Sequence, residues 1–270
     1  MILLAKEGIF PIVRDGKGYP LAASPNTGFR FAGTVQGEGK LAGIPSLFIR
    51  LAGCNLHCMW KKLGGKDLPC DTLSASYSTE GVYALQETEI ADIVSVNASN
   101  IRHVVITGGE PLLQADALIL LCRLIKEKGN FHITLETNGT LFSAPLADYA
   151  DFYSLSPKLA SSVSSCHPGD DLIRMNIPVL QSFIDMAKEN PSKDMQLKFV
   201  FSSPEDETEI ESVLSRLNGW ETTDILLMPL GGDRRELERN ARATLEVCIR
   251  HGWRFCDRLH LRLFSASEGV

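Results

Sequence analysis

No apolar run in this chain of 270 residues reaches the roughly 18 to 20 residues that a membrane-spanning helix requires. The start, MILLAKEGIFPIVRDGKG, lacks the charged leader and long apolar core of a secretory signal. Positive charge is scarce too. The 27 Lys and Arg stand against 33 Asp and Glu, a formal charge of −6, so nothing supports a phosphate-binding surface. The basic run KKLGGK near residue 61 is too short to change that. Fixed-period repeats and low-complexity stretches are missing as well. These absences argue against a membrane protein and a nucleic-acid binder, and the chain is expected to be cytoplasmic, with neither nucleic acid nor membrane as partner. What is present is apolar material, 44% hydrophobic against 22% charged residues. That suffices for a sizeable core, and one domain over residues 1–270 is the simplest reading.

Seven cysteines without a secretory signal read as reduced thiols. Cys122, in ALILLCRLI, and Cys248, in ATLEVCIRHG, lie in apolar helical runs and are expected in the core. Cys166 and Cys256 are left open. The other three, Cys54, Cys58 and Cys70, fall within GCNLHCMWKKLGGKDLPCDT, directly after PSLFIRLAG. Three thiolates on one loop suit a soft metal, and an iron–sulfur cluster best. A structural zinc site wants four protein ligands, whereas a cluster held by three cysteines leaves one iron open. A zinc site that borrows Cys166 or His57, in a non-enzymatic protein, is the remote alternative.

Short apolar runs alternate with amphipathic segments along the chain. The strand-like runs are 45–52, 102–109, 131–139, 151–157, 195–202 and 224–231, each ending in or near Gly, Pro, Ser or Asn. Segments such as TEIADIVSVNAS, PVLQSFIDMAKEN and RRELERNARATLEVCIRHG carry apolar residues at helical spacing. Buried strands that alternate with helices imply an α/β protein with a parallel sheet. Residues 1–35 read as an N-terminal β-extension and RLHLRLF (258–264) as a final strand. In such folds ligands sit at the carboxyl ends of the strands, where the cysteine loop, GGEP, ETNG, SPK and MPLG all fall.

TVQGEGKLAGIPSLFIRLAGCNLHC, the CDT at 70–72, ITGGEPLLQ, LETNGT, LSPK, LKFV and the terminal RLH together resemble the radical S-adenosylmethionine enzymes. Within that superfamily they resemble the 7-carboxy-7-deazaguanine synthase family. The superfamily spacing is C-x3-C-x2-C, and here eleven residues separate Cys58 from Cys70. KKLGGKDLP (61–69) reads as a nine-residue insertion, with Gly64-Gly65 and Pro69 suited to an excursion that returns. Such an enlargement costs only about 1–2 kcal/mol in closure entropy. Asp71-Thr72 after Cys70 keeps that cysteine as the third ligand.

The resemblance implies an incomplete (β6/α) TIM-like barrel, a 4Fe-4S cluster on Cys54, Cys58 and Cys70, and S-adenosylmethionine bound by Gly109, Glu110, Asn138, Ser156, Pro157, Lys158, Met228, Pro229 and Leu230. It implies Mg²⁺ at Thr72. It also implies a pterin substrate, 6-carboxy-5,6,7,8-tetrahydropterin, held by Val35, Gln36, Gly37, Glu38, Arg50, Thr107 and His260. Arg50 would clamp the substrate carboxylate, a task its planar fork suits. The reaction implied is a radical ring contraction, by a carbon–nitrogen lyase, to 7-carboxy-7-deazaguanine with loss of ammonia, on the route to queuosine. A homodimer and an electron donor of flavodoxin or ferredoxin type are implied too. Another radical enzyme, such as a glycyl-radical activase, is the nearer rival, but it leaves TVQGEG and Arg50 without a purpose.

Overall fold

The apolar runs of this chain fold as strands because helices and loops cover both faces of the sheet they form, so neither face has to be polar. The computed structural model describes residues 1–61 and 67–265. The N-terminal part holds β1 (Ile2–Phe10), β2 (Thr34–Val35), β3 (Pro45–Leu51), β4 (Met59–Lys61), β5 (Asp67–Pro69), α1 (Leu73–Ser76) and β6 (Tyr83–Leu85). A regular alternation follows, with α2 (Glu87–Ala98), β7 (His103–Gly108), α3 (Ala115–Lys128), β8 (His132–Thr137), β9 (Phe152–Leu155) and α4 (Ile177–Glu189). It ends with β10 (Asp194–Phe201), α5 (Pro204–Leu214), β11 (Ile225–Pro229), α6 (Arg234–His251), β12 (Arg254–Phe255) and α7 (Leu259–Phe264).

Strands β3, β7, β8, β9, β10 and β11 are parallel neighbours in that order. These are the six strands expected from the sequence, and the two-residue β12 continues the parallel run on β11. At the other edge β1 runs antiparallel to β3, and β6 antiparallel to β1. The N-terminal segment is therefore a β-extension, as expected. Among the described residues the strand order is a path from β12 to β6 and not a closed ring, which gives an open-sided parallel α/β architecture.

Every residue of β7, β9 and β11 is buried. One apolar cluster runs from Ile2 to Trp253 and includes Leu47, Ile106, Leu135 and Leu155 on four successive strands. Burial of each such side chain contributes roughly 1.5–3 kcal/mol. Cys122 and Cys248 belong to this cluster, as the apolar helical runs around them predict. Helix starts are set locally. Ser203 and Asp206 form a reciprocal capping box on α5 with Pro204 in its first turn, and Asp233 caps α6 by accepting from the Glu236 N–H at 2.9 Å.

One element differs from expectation. RLHLRLF (258–264) is not a strand: Leu259–Phe264 is helix α7, and the last strand is Arg254–Phe255. The run alternates polar and apolar residues, but over so few positions periodicity does not decide between strand and helix. The Leu259 N–H donates instead to the Gly37 carbonyl at 2.9 Å, which docks the start of α7 against the QGEG loop.

Candidate active site

A cavity of about 450 Å³ opens at the carboxyl ends of the parallel strands, where the strand-end loops converge. The first of these loops carries the cysteines, and Cys54, Cys58 and Cys70 all line the cavity. The insertion explains how Cys70 reaches it. Strands β4 and β5 pair antiparallel, Met59 opposite Pro69 and Lys61 opposite Asp67, and the Cys70 N–H donates to the Cys58 carbonyl at 3.2 Å. The excursion thus closes where it began. Gly64-Gly65, expected within it, lie among residues 62–66, outside the described residues. Leu56, Trp60 and Leu230 pack with the three cysteines.

Burial pushes all three thiols up, Cys58 to about 12, and the Lys158 ammonium pulls each the other way. Such thiols keep their protons until a metal displaces them. Among the described residues no three His, Cys, Asp or Glu gather at the spacing of ligands to one ion. The cysteines share a cavity instead, and a cluster suits that wider placement, because each thiolate takes a different iron. His57 and Cys166, the borrowed ligands of a zinc site, stay outside the cavity lining. His57 stacks between Tyr77 and His167, with Asp170 on its backbone N–H at 2.5 Å, and Cys166 is exposed. Cys256 is buried and accepts from the Gly39 N–H at 3.1 Å, behind the site.

The GGEP loop lies directly against the cysteine loop. The Glu110 N–H donates to the Gly53 carbonyl at 2.8 Å. A Cβ on Gly109 would stand 2.2 Å from that same carbonyl oxygen and 2.8 Å from the Cys54 Cβ, so only glycine allows the approach. Gly109 lines the cavity, but Glu110 does not. The Glu110 carboxylate is fully buried and accepts from the Leu112 N–H at 3.0 Å, the Thr137 hydroxyl at 2.8 Å and the Asn138 N–H at 2.7 Å. It therefore couples the GGEP and ETNG loops from behind the wall. Asn138 does reach the cavity, with its side chain held by Asn55 and Thr140. On the next loop Lys158 donates to Ser156 Oγ at 2.8 Å and both line the cavity, whereas Pro157 between them does not. Met228, Pro229 and Leu230 close the far rim.

Val35, Gln36, Gly37, Glu38, Arg50, Thr107 and His260 all line the same cavity. Pairing of Arg50 with Thr107 in the β3–β7 register puts these two side by side. Gln36 Nε2 donates to Glu136 Oε1 at 3.0 Å, and the Thr107 hydroxyl donates to Glu136 Oε2 at 2.9 Å. Arg50 has its guanidinium 5.2 Å from the Phe10 ring, and its Nε is buried with no hydrogen-bond partner among the described residues. A buried guanidinium N–H left open is costly unless something else fills it. Thr72 stands at the N-cap position of α1 without a side-chain capping bond, its Oγ1 3.2 Å from the Cys70 sulfur.

Glu7, Glu136, Lys198 and Arg258 also line the cavity and have no role among the sequence expectations. Arg258 is 8% exposed, and it donates to Glu38 at 2.9 Å, to Asp71 at 2.5 Å and to the Gly231 carbonyl at 3.0 Å. Lys198 is salt-bridged to the other Glu38 oxygen. Burial raises the Glu38 carboxyl, but Lys198 and Arg258 outweigh it and hold the group well below the usual carboxylate range. Burial pushes the His260 imidazole below its ordinary value, which favours its neutral form beside Gly37. A signal did exist for Lys198, a lone charge within the apolar run LKFVF, because buried charges need partners.

A cysteine loop after the first parallel strand, with a glycine loop pressed against it, is the arrangement of radical S-adenosylmethionine enzymes, and residues 49–162 match the family model described as the Radical SAM superfamily. The chain is 37% identical over 248 residues to the 7-carboxy-7-deazaguanine synthase of Halobacterium salinarum, a match that covers 86% of this chain and 88% of that one. It is 35% identical over 243 residues to the enzyme of the same name from Rhodopirellula baltica, covering 87% and 85%. The crystal structure of QueE from Escherichia coli has the same fold, with a TM-score of 0.62 at 24% identity over 84% of this chain and 91% of that one. The chain belongs to the 7-carboxy-7-deazaguanine synthase family. Among the described residues no helix is long and apolar enough to cross a membrane.

Proposed function

We propose that this protein is a carbon–nitrogen lyase that contracts the ring of 6-carboxy-5,6,7,8-tetrahydropterin to 7-carboxy-7-deazaguanine, with loss of ammonia. The observation that carries the reading is the open, buried Arg50 Nε in the same cavity as three convergent cysteines. A cation with an unfilled donor there asks for an anionic ligand, and the substrate carboxylate supplies one. Cys54, Cys58 and Cys70 hold the 4Fe-4S cluster. When bound, the cluster and S-adenosylmethionine supply a carbon-centred radical that starts the reaction. Ser156 and Lys158, hydrogen-bonded to one another, lie on the cofactor side with Gly109, Asn138, Met228 and Leu230. On the substrate side Gln36, Glu136 and Thr107 form one hydrogen-bonded chain that offers donors and acceptors to the flat edge of the pterin.

Thr72 carries the only protein oxygen this reading assigns to Mg²⁺, which keeps its waters and coordinates through substrate. The continuous core from Ile2 to Trp253 supports treating residues 1–270 as one domain. The homodimer and the flavodoxin- or ferredoxin-type donor rest on the family resemblance, and the net charge of −6 agrees with a site that binds no nucleic acid. The test is anaerobic reconstitution with iron and sulfide, then incubation with the pterin, S-adenosylmethionine, Mg²⁺ and a reductant. Mass spectrometry should detect the deazaguanine. Cofactor cleavage without that product would remove the substrate assignment and leave the radical enzyme class standing.

A further inference from the structure

A second open group lies in the same cavity, on the N-terminal extension. Strands β1 and β3 pair Leu4 with Leu51 and Ile9 with Ile49, so residues 5–8 of β1 face Arg50 alone. The surplus forms a bulge, and bulges re-aim side chains. Gly8 makes it possible: its φ is +56°, and the Tyr83 hydroxyl stands 1.8 Å from where a Cβ would be. The bulge presents Glu7 to the cavity. One carboxylate oxygen, Oε1, accepts from the Ser74 hydroxyl at 3.1 Å, which fixes the side chain against α1. The other, Oε2, is buried and has no partner among the described residues. Arg50, opposite, has its Nε in the same condition. Two groups of opposite charge on adjacent strands thus each keep one buried position open instead of pairing. A carboxylate oxygen accepts and a guanidinium donates. The ligand that satisfies both carries an anionic oxygen with an N–H or O–H donor close beside it.

Resting on the pterin reading above, we infer that Glu7 is a substrate-binding residue that accepts the ring N–H adjacent to the carboxylate-bearing carbon. In a 6-carboxytetrahydropterin that carbon is bonded to a ring nitrogen carrying hydrogen. With the carboxylate on Arg50, the neighbouring N–H is the donor that Glu7 Oε2 lacks. A site built this way discriminates. An analogue without the hydrogen leaves a buried carboxylate oxygen unpaired, and such sites reject the deficient ligand strongly. The dihydro form, 6-carboxy-7,8-dihydropterin, is that analogue, because its nitrogen is double-bonded to the same carbon and carries no hydrogen.

The test measures binding of both pterins by calorimetry to the reconstituted enzyme with S-adenosylmethionine, in wild type, Glu7→Ala and Glu7→Gln. Wild type should prefer the tetrahydro form by about 10-fold or more, the range of a hydrogen bond to a charged group. Glu7→Ala should bring the two affinities to within about 3-fold of each other by loss of that bond. Glu7→Gln, which keeps an acceptor oxygen, should recover part of the preference. The cluster absorption and S-adenosylmethionine affinity should match wild type in both variants. An unchanged preference in Glu7→Ala, or no preference in a wild type that binds the tetrahydropterin, overturns the role of Glu7 and leaves the function intact. A wild type that binds neither pterin overturns the substrate reading and this inference with it.

Discussion

Replacement of Arg258 by methionine should destabilise the whole protein and not only its site. Arg258 is 9% exposed at the side chain and spans Glu38, Asp71 and the Gly231 carbonyl, which joins α7 to the QGEG loop, the cysteine loop and the loop after β11. Breaking a buried ion pair typically costs about 3–5 kcal/mol, because it leaves a charge uncompensated. Two features place this case at the lower end. Glu38 keeps its salt bridge to Lys198, and the Asp71 side chain is 52% exposed, so water takes over much of its solvation. A loss of about 3 kcal/mol corresponds to a fall in Tm of roughly 6–12 °C for a domain of this size. Thermal unfolding of the cluster-free protein by circular dichroism reads it directly. The pH dependence identifies the cause. Arg258 holds Asp71 below its ordinary value near 3.8. Glu38 is held below 4.5 by Lys198 and Arg258 against its burial. For carboxyls with depressed values, the ionic stabilisation is present above the ordinary pKa and is lost as the pH falls through the folded one. The gap between wild type and variant should therefore be full at pH 7 and shrink below about pH 4. A Tm change under 2 °C, or a gap that stays constant down to pH 3, refutes the bracket formed by Arg258 and assigns the effect to packing alone.

Cys70→Ala should lose the visible absorption of the reconstituted cluster while its far-ultraviolet circular dichroism stays that of wild type, since the β4–β5 pairing does not use the thiol. Gly109→Ala should lower cluster content as well, because the added carbon meets the Gly53 carbonyl at 2.2 Å and pushes the GGEP and cysteine loops apart; iron and sulfide analysis after reconstitution checks it. Arg50→Met should raise the KM for the pterin by roughly 10- to 100-fold, the equivalent of one charge-assisted hydrogen bond, with S-adenosylmethionine affinity unchanged. Arg50→Lys should recover little of that loss, because an ammonium does not match a carboxylate as a planar fork does.

The six parallel strands were legible because each is an apolar run of strand length closed by a breaker, and the helices because their periodicity and end signals agree. Most of the site was legible too, since GGEP, ETNG, SPK and CDT fall on strand ends. Residues 258–264 were misread for want of length: seven positions of alternating character fit a strand, yet Leu259–Phe264 is helical. Glu110 reads as a cavity residue from its motif, but the fold turns its carboxylate onto three donors of its own protein. Lys198 and Arg258 were missed because their common partner, Glu38, lies 160 and 220 positions away.

The order of elements and the identity of the cysteine loop were thus determined by local sequence, through periodicity and turn chemistry that act over a few residues. Tertiary structure decided where charge resides. It returned Cys70 to Cys58 across an antiparallel pair, gathered Glu38, Lys198 and Arg258 into one buried group with the exposed Asp71 at its edge, and left Arg50 and Glu7 each with an open position in the cavity. Pairing and solvation depend on distances between residues far apart in the chain, and only the folded arrangement of strands supplies those distances.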